Sequence, residues 1–376
     1  MLEFVNRFFD TKYRSLNRIE ISSDNLIHNY KILSNLDAGI SVAPVLKSNA
    51  YGHGISIVGR VLDKLNPPFF CVDSIYEGYE LLKAQVKSPI LIMGYVNPEN
   101  LKVKKLPFSY AIYDRDTLEA IHKYQPHAGI HIFVDTGMHR EGVHVTELAL
   151  LLEYVKATNG LKIDGLMSHF AAADTPGNPL TQNQADHFVE AQKMCEEFGI
   201  FPKWVHLAAS SGLINHNKFK GKLGNMARVG DALYGIDPTD EFNLLKPVLS
   251  LCSTVVQVKP VRKSEKVGYD FTYTAQKDMN IGILPIGYND GLDRRLSSKG
   301  SVYIKGQKCP IVGRISMNVT TVDVSLVPEV RVGDEVEVYS SESEKENSLS
   351  YAARTCGTIA YELMIHLNES IHRVVI

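Results

Sequence analysis

No stretch of this 376-residue chain approaches the roughly eighteen consecutive apolar residues that a membrane-crossing helix needs. The opening run Met1-Leu2-Glu3-Phe4-Val5-Asn6-Arg7-Phe8-Phe9-Asp10 is interrupted by charges and lacks the basic, apolar, small-residue order of a secretory signal. A cytoplasmic protein is expected. An excess of charge is missing too: 40 Lys and Arg against 42 Asp and Glu leave a net −2, so neither nucleic acid nor an acidic membrane surface is an expected partner. The five cysteines (Cys71, Cys195, Cys252, Cys309, Cys356) are scattered, odd in number and without a CxxC pair. That argues against a disulfide framework or a zinc site, and no metal is expected. There is no Walker-type glycine-lysine loop, which disfavours a nucleotide. Internal repeats and low-complexity segments are absent, and Ser340–Ser348, rich in serine and glutamate, reads as a solvated loop.

What remains is the composition of a soluble globular protein, 44% apolar and 22% charged, at a length that suits two domains. An early helix is predicted over Asp24–Leu36 with Ser23 as its N-cap. Eight short apolar runs then read as strands: Val42–Lys47, Phe69–Ser74, Pro89–Gly94, Phe108–Asp114, Ile130–Asp135, Ile163–His169, Trp204–Ser210 and Ala227–Tyr234. Amphipathic stretches such as Ile75–Ala84, Asp116–Tyr124, Glu147–Ala157 and Thr181–Phe198 lie between many of them. This alternation favours a (β/α)8 TIM-type barrel over a doubly wound sheet. Past residue 240 helical periodicity fades, and glycine-separated β runs take over at Leu249–Val261, Ile281–Gly287, Ser301–Ile304, Ile311–Val324 and Glu335–Tyr339. The expected division is residues 1–240, a barrel with an N-terminal extension, and 241–376, a C-terminal mostly-β domain.

The most informative segment is Val45-Leu46-Lys47-Ser48-Asn49-Ala50-Tyr51-Gly52-His53-Gly54. A lysine at the inner end of a buried strand is badly placed for solubility and well placed to form a Schiff base. Barrel enzymes carry their reacting groups at the carboxyl ends of strands, and other polar residues fall at such ends here. Asp135-Thr136-Gly137-Met138-His139-Arg140 follows the fifth run, His169 ends the sixth, Ser210 ends the seventh, and Arg228 and Gly230 belong to the eighth. Each alone has an ordinary structural explanation, but their recurrence on so many strands favours a site. Tyr51, Ser210 and Gly230 suit a phosphate grip, since hydroxyls donate and glycine exposes its N–H. A reactive lysine beside such a grip points to pyridoxal 5'-phosphate.

The ten-residue lysine segment closely resembles the cofactor-attachment motif of the alanine racemase family. So do His169-Phe170-Ala171-Ala172-Ala173-Asp174, Arg228-Val229-Gly230, Tyr269-Asp270-Phe271-Thr272-Tyr273-Thr274-Ala275, Gly287-Tyr288-Asn289-Asp290-Gly291, Gly313-Arg314-Ile315-Ser316-Met317 and Thr358-Ile359-Ala360-Tyr361-Glu362, all in family order. The resemblance implies that Lys47 carries pyridoxal phosphate and, once released, acts as acid/base on one face of the substrate Cα. Tyr269 matches the family's acid/base for the opposite face, supported by His169 and Arg228. Arg228 matches the arginine facing the pyridine nitrogen, where a permanent cation disfavours a ring proton and suppresses transamination. Tyr51, Ser210, Gly230 and Tyr361 match phosphate ligands, while Arg140 and the Met317 amide match groups that hold the substrate carboxylate. Tyr288, Arg294, Arg314 and Asp174 resemble residues near the entrance.

Three positions depart from the family pattern. Phe133 stands where many members have a lysine that becomes carbamylated and steadies the arginine matching Arg140. Asn318 replaces an aspartate, and Ala209 replaces an asparagine. These bear on substrate more than on reaction type. The expected activity is interconversion of L- and D-alanine, with a D-alanine supply for the cell wall. The alternatives are a serine or broad-specificity racemase, a non-catalytic cofactor carrier on the same barrel, and a decarboxylase of the same architecture. The resemblance also implies a homodimer whose sites are shared between chains.

Overall fold

Eight short parallel strands supply the framework of one half of the molecule: Ser41–Pro44, Phe70–Val72, Ile90–Ile92, Phe108–Ile112, Ile130–Asp135, Gly165–Met167, Trp204–His206 and Met226–Val229. The computed structural model describes residues 15–175, 177–239 and 241–376, in two units, Asp24–Lys246 and a second in which residues 15–23 join Pro247–Ile376.

In the first unit the second to seventh strands pair consecutively, and the eighth pairs with the first from Met226↔Ser41 to Val229↔Pro44. Two further joins close the ring. Leu46 N–H donates to Cys71 O at 2.8 Å, and Arg228 N–H donates to Ala208 O at 2.9 Å, tying the seventh strand's exit to the eighth. This is the expected (β/α)8 barrel. Strands covered on both faces must be apolar throughout, and Phe70–Val72, Ile90–Ile92 and Gly165–Met167 are buried at every position. Ala43, Val45, Phe69, Cys71, Leu91 and Met226 pack together as one layer of the filled interior.

The strands end earlier than the sequence predicts. Lys47 lies past the first strand in the turn Lys47–Tyr51, His169 lies two residues beyond Met167, and Ser210 is the first residue of the short helix Ser210–Ile214. Their backbone groups leave the ladder for local partners, as when Ala50 N–H donates to Leu46 O at 2.8 Å. The intervening helices occur at Ile75–Lys83, Arg115–Tyr124, Leu148–Ala157 and Pro179–Glu197, and the early helix at Ser23–Ser34.

The second unit holds a six-stranded sheet, in the order Gln307–Pro310, Ser301–Ile304, Glu335–Tyr339, Leu249–Thr254, Arg18–Ile21 and His372–Val375. A separate three-stranded sheet joins Gln257–Val261, Met279–Leu284 and Thr320–Asp323. The predicted single run Leu249–Val261 breaks because Val255 N–H donates to Asp334 O while Val256 N–H donates to Ile283 O, sending the chain into a different sheet. Arg18–Ile21 belongs here although the sequence reading groups residues 1–240 with the barrel. Its ladders run to Leu249–Cys252 and His372–Val375, and Ile19 and Ile21 are fully buried. Two helices not foreseen, Leu349–Cys356 and Ala360–Ile365, complete the unit.

Candidate active site

Lys47 opens a turn of rare backbone geometry. Ser48, Asn49, Ala50 and Tyr51 all have φ of 52–53°, followed by Gly52 at 83° and Gly54 at 96°. Left-handed residues other than glycine cost roughly 1–2 kcal/mol each, so a run of four persists only where tertiary contacts over-determine it. Those contacts are present. Asn49 N–H donates to Glu77 Oε1 at 3.3 Å, and Asn49 Oδ1 accepts from Ile55 N–H at 2.8 Å. His53 is fully buried, takes up Ala50 O at 3.0 Å and stacks on Tyr234 at 4.4 Å; Tyr234 in turn donates to Val45 O at 2.9 Å. The turn is therefore held between the first strand and the segment after the eighth.

Tyr51 reaches the exit of the eighth strand. A Cβ built on Gly230 would lie 2.4 Å from the Tyr51 hydroxyl, so only glycine allows this approach. Gly230 N–H meets the buried Ser210 Oγ at 3.2 Å, and Ala232 N–H lies 3.5 Å from the same oxygen. Two hydroxyls and the Gly230 N–H thus converge beside the last strand, donors of the kind a phosphate takes, while Ala232 N–H lies nearer the Asp231 carboxylate, at 3.0 Å.

Arg228 is buried without any carboxylate to balance it. Nη1 donates to His206 Nδ1 at 2.8 Å and His206 O at 2.6 Å, and Nη2 to Ser168 O at 2.6 Å and His169 Nδ1 at 3.2 Å. Nε–H is the donor left without a protein partner among the described residues. A guanidinium only donates, which fixes the tautomers along the line. His206 Nδ1 accepts, so its Nε2–H donates to His131 Nδ1 at 2.8 Å, and His131 Nε2–H is left buried without a partner. Gly165 makes room for this arrangement, since a Cβ there would fall 2.0 Å from His131 Nδ1. Burial first and Arg228 second push His131 down to about 3, and the same causes, with His131 added, drive His206 well below the usual imidazole range. Both rings are neutral spacers. Burial also pulls Arg228 down, to about 10.

His169, half-buried, is pushed down to about 3 by burial and then by three cations: Arg228, Arg140 and Lys47. The charges of Lys47, Arg140 and Arg228 thus all bear on this one imidazole. Arg140 follows the loop that Asp135 organises. Burial opposes ionisation of Asp135, but the N–H groups of Gly137, Met138 and His139, at 2.9–3.1 Å, outweigh it and hold the carboxyl low. Phe133 is buried with Ala111 and Met167 and offers no charge.

The second unit gathers the other expected residues on its own loops. Tyr269, 67% exposed, begins a tight turn after Gly268, and Asp270 in that turn pairs with Arg314. Gly268 lies against the backbone of Gly313 and Arg314, which places the Tyr269 turn beside the loop leading to Met317. Met317 O accepts from Asn289 N–H at 2.9 Å and Ser316 O accepts from Tyr288 N–H at 3.0 Å, leaving Met317 N–H without a protein partner among the described residues. Tyr288 and Arg294 line a cavity of about 210 Å³ with Leu363 and His366, and Tyr361 lies on the same helix as Leu363.

Sequence reasoning missed His131, His206 and Tyr234. The signal was there for the histidines: Ile130-His131-Ile132 and Val205-His206-Leu207 each place an imidazole within an apolar strand, where a polar group needs a buried partner. Tyr234 gave none, being one tyrosine in an apolar run.

Comparison with known proteins agrees with this geometry. The family model for the alanine racemase N-terminal domain matches residues 21–238, and that for the alanine racemase C-terminal domain matches 248–375. An alanine racemase of Sorangium cellulosum is 32% identical over 373 residues, covering 95% of this chain and 98% of that protein. One from Cutibacterium acnes is 35% identical, covering 87% and 89%. Among solved structures, an alanine racemase of Clostridium difficile superposes with a TM-score of 0.89 at 29% identity, covering 97% of each chain. One from E. faecalis gives 0.87 at 30% identity, covering 96% of this chain and 98% of that one. Barrel, strand-rich unit and motif order together place the chain in the alanine racemase family.

Proposed function

We infer that the chain is a pyridoxal 5'-phosphate-dependent alanine racemase interconverting L- and D-alanine. The observation that carries this reading is Arg228. It is a buried cation with no acid paired to it and one N–H to spare, near a phosphate-type donor set and hydrogen-bonded to His169, whose imidazole also feels the Lys47 charge. A weakly basic ring nitrogen is the acceptor such a donor suits, and the residues present therefore fit pyridoxal phosphate.

When bound, the cofactor supplies an electron sink that acidifies the substrate Cα–H. Lys47 holds it through its Nζ, and Tyr51, Ser210, Gly230 and Tyr361 grip its phosphate. Arg228 disfavours a proton on the ring nitrogen, which keeps the sink weak and suppresses transamination. Arg140 and the Met317 N–H hold the substrate carboxylate. Lys47 Nζ moves the Cα proton on one face and Tyr269 Oη on the other, so a proton leaving one face is replaced on the opposite face. His169 is kept neutral, and because its Nδ1 accepts from Arg228, its Nε2–H is left to donate to the Tyr269 oxygen without adding charge. The working unit is a homodimer in which Tyr269 of the partner subunit completes each site. The enzyme is cytoplasmic and supplies D-alanine for the cell wall. Among the described residues no helix is long and apolar enough to cross a membrane.

Serine or a broader amino-acid set is the second reading, favoured by Phe133, Ala209 and Asn318, which alter polarity around the expected pocket. The test is chiral analysis of alanine and serine turned over by purified protein with added cofactor, carbon dioxide release being measured alongside. Racemisation of alanine without carbon dioxide is expected, and borohydride should fix the cofactor on Lys47. Labelling of a different lysine, or decarboxylation without racemisation, would sink the assignment.

A further inference from the structure

Arg140 donates through Nε to the carboxylate of the adjoining Glu141. Both side chains are partly exposed, 49% and 36%, where an ion pair adds little to fold stability. Its effect is on direction. A guanidinium reads a carboxylate through two parallel N–H groups in one plane, so its orientation decides whether the fork can form. With Nε engaged by Glu141, Nη1 and Nη2 have no protein partner among the described residues and present that fork.

The neighbourhood leaves Glu141 as the group suited to this task. Asp135, earlier in the same loop, is committed to three backbone N–H groups. Phe133 is buried, and Tyr113 packs on it at 5.7 Å. The Tyr113 phenol is pushed up by burial first and then by the Glu141 and Asp73 carboxylates, with Arg140 and Arg228 opposing. The charges of Glu141, Arg140 and Arg228 thus all bear on the Tyr113 phenol.

We propose that Glu141 is a positioning residue that turns the Arg140 guanidinium so that both Nη groups meet the substrate carboxylate. This rests on the role given to Arg140 under the racemase reading. An acid next in sequence is kept close to Arg140 by the backbone, and the pairing must offset the rotamer freedom that both long side chains lose.

The test uses the cofactor-loaded protein and propionate, which has a carboxylate but no amine, titrated by calorimetry. Glu141→Gln should weaken propionate binding ten- to a hundredfold, the span expected on losing one charged hydrogen bond that orients the site. KM for alanine should rise by a similar factor while kcat changes less. Glu141→Asp should recover part of the affinity, and melting temperature should not follow the affinity series. Unchanged propionate affinity in Glu141→Gln overturns the inference, as does a fall in kcat with KM unmoved. Wild-type protein that racemises alanine but does not bind propionate overturns it as well. A wild type that binds propionate in a Glu141-dependent way yet racemises nothing overturns the racemase reading and leaves the role of Glu141 standing.

Discussion

Tyr269 is the residue on which the two-face mechanism depends most directly. It stands at 67% exposure on a turn fixed by Gly268 at φ 81° and by the pairing of Asp270 with Arg314. Tyr269→Phe removes one oxygen and leaves the turn intact, so cofactor binding, read by absorbance, should survive. Racemisation should fall by roughly 10²–10⁴, the range for a positioned proton-transfer group. Near-normal turnover would remove Tyr269 from the chemistry. Residues like Lys47 and Tyr269 were open to nomination from the sequence because each is a chemically distinct side chain inside a long characteristic string. His206 was not, because its meaning is a contact with Arg228 that only the closing of the barrel creates.

The turn Ser48–Tyr51 is an element whose cost is visible in its torsions. Ser48 is its exposed member, so a change there disturbs no packing. Ser48→Gly should raise stability by up to about 1 kcal/mol, the left-handed penalty relieved less the extra freedom of an unfolded glycine. Urea unfolding checks this: the midpoint of the first transition should rise with its slope unchanged. A lower midpoint would mean that the serine hydroxyl outweighs the torsional cost. Elements of this kind resist sequence reading, since only Asn49 of Lys47-Ser48-Asn49-Ala50-Tyr51 takes left-handed backbone readily, and the others do so because Glu77, Tyr234 and His53 hold the turn. The eight strands were legible for the opposite reason. Short β-branched and aliphatic runs carry their own signal, whereas their ends depend on which carbonyl each N–H finds.

At the scale of the whole molecule, the proposed chemistry requires groups that lie in two separate units, with Lys47 in one and Tyr269 in the other. If dimers share their sites, mixing inactive Lys47→Ala and Tyr269→Phe chains should restore activity. Each mixed dimer regains one intact site, and random pairing makes up to about a quarter of all sites active. Absence of recovery after verified subunit exchange would favour sites complete within a single chain. Two domains and their classes could be read from the change in texture near residue 240. The place of Arg18–Ile21 could not, because its partners are Leu249–Cys252 and His372–Val375, far along the chain.

That strand pairing also has a consequence for how the molecule comes into being. Arg18–Ile21 leaves the ribosome long before one of its two neighbours in the sheet, His372–Val375. The barrel segment is an insert within the strand-rich unit, and its two ends meet where Ser22 N–H donates to Val248 O at 2.9 Å. Asp24–Lys246 can gather its own contacts during synthesis, since its closure needs nothing from outside that span. The strand-rich sheet must wait, one side of Arg18–Ile21 unpaired, until His372–Val375 has been made. Long-range closure of this sort is entropically affordable but slow.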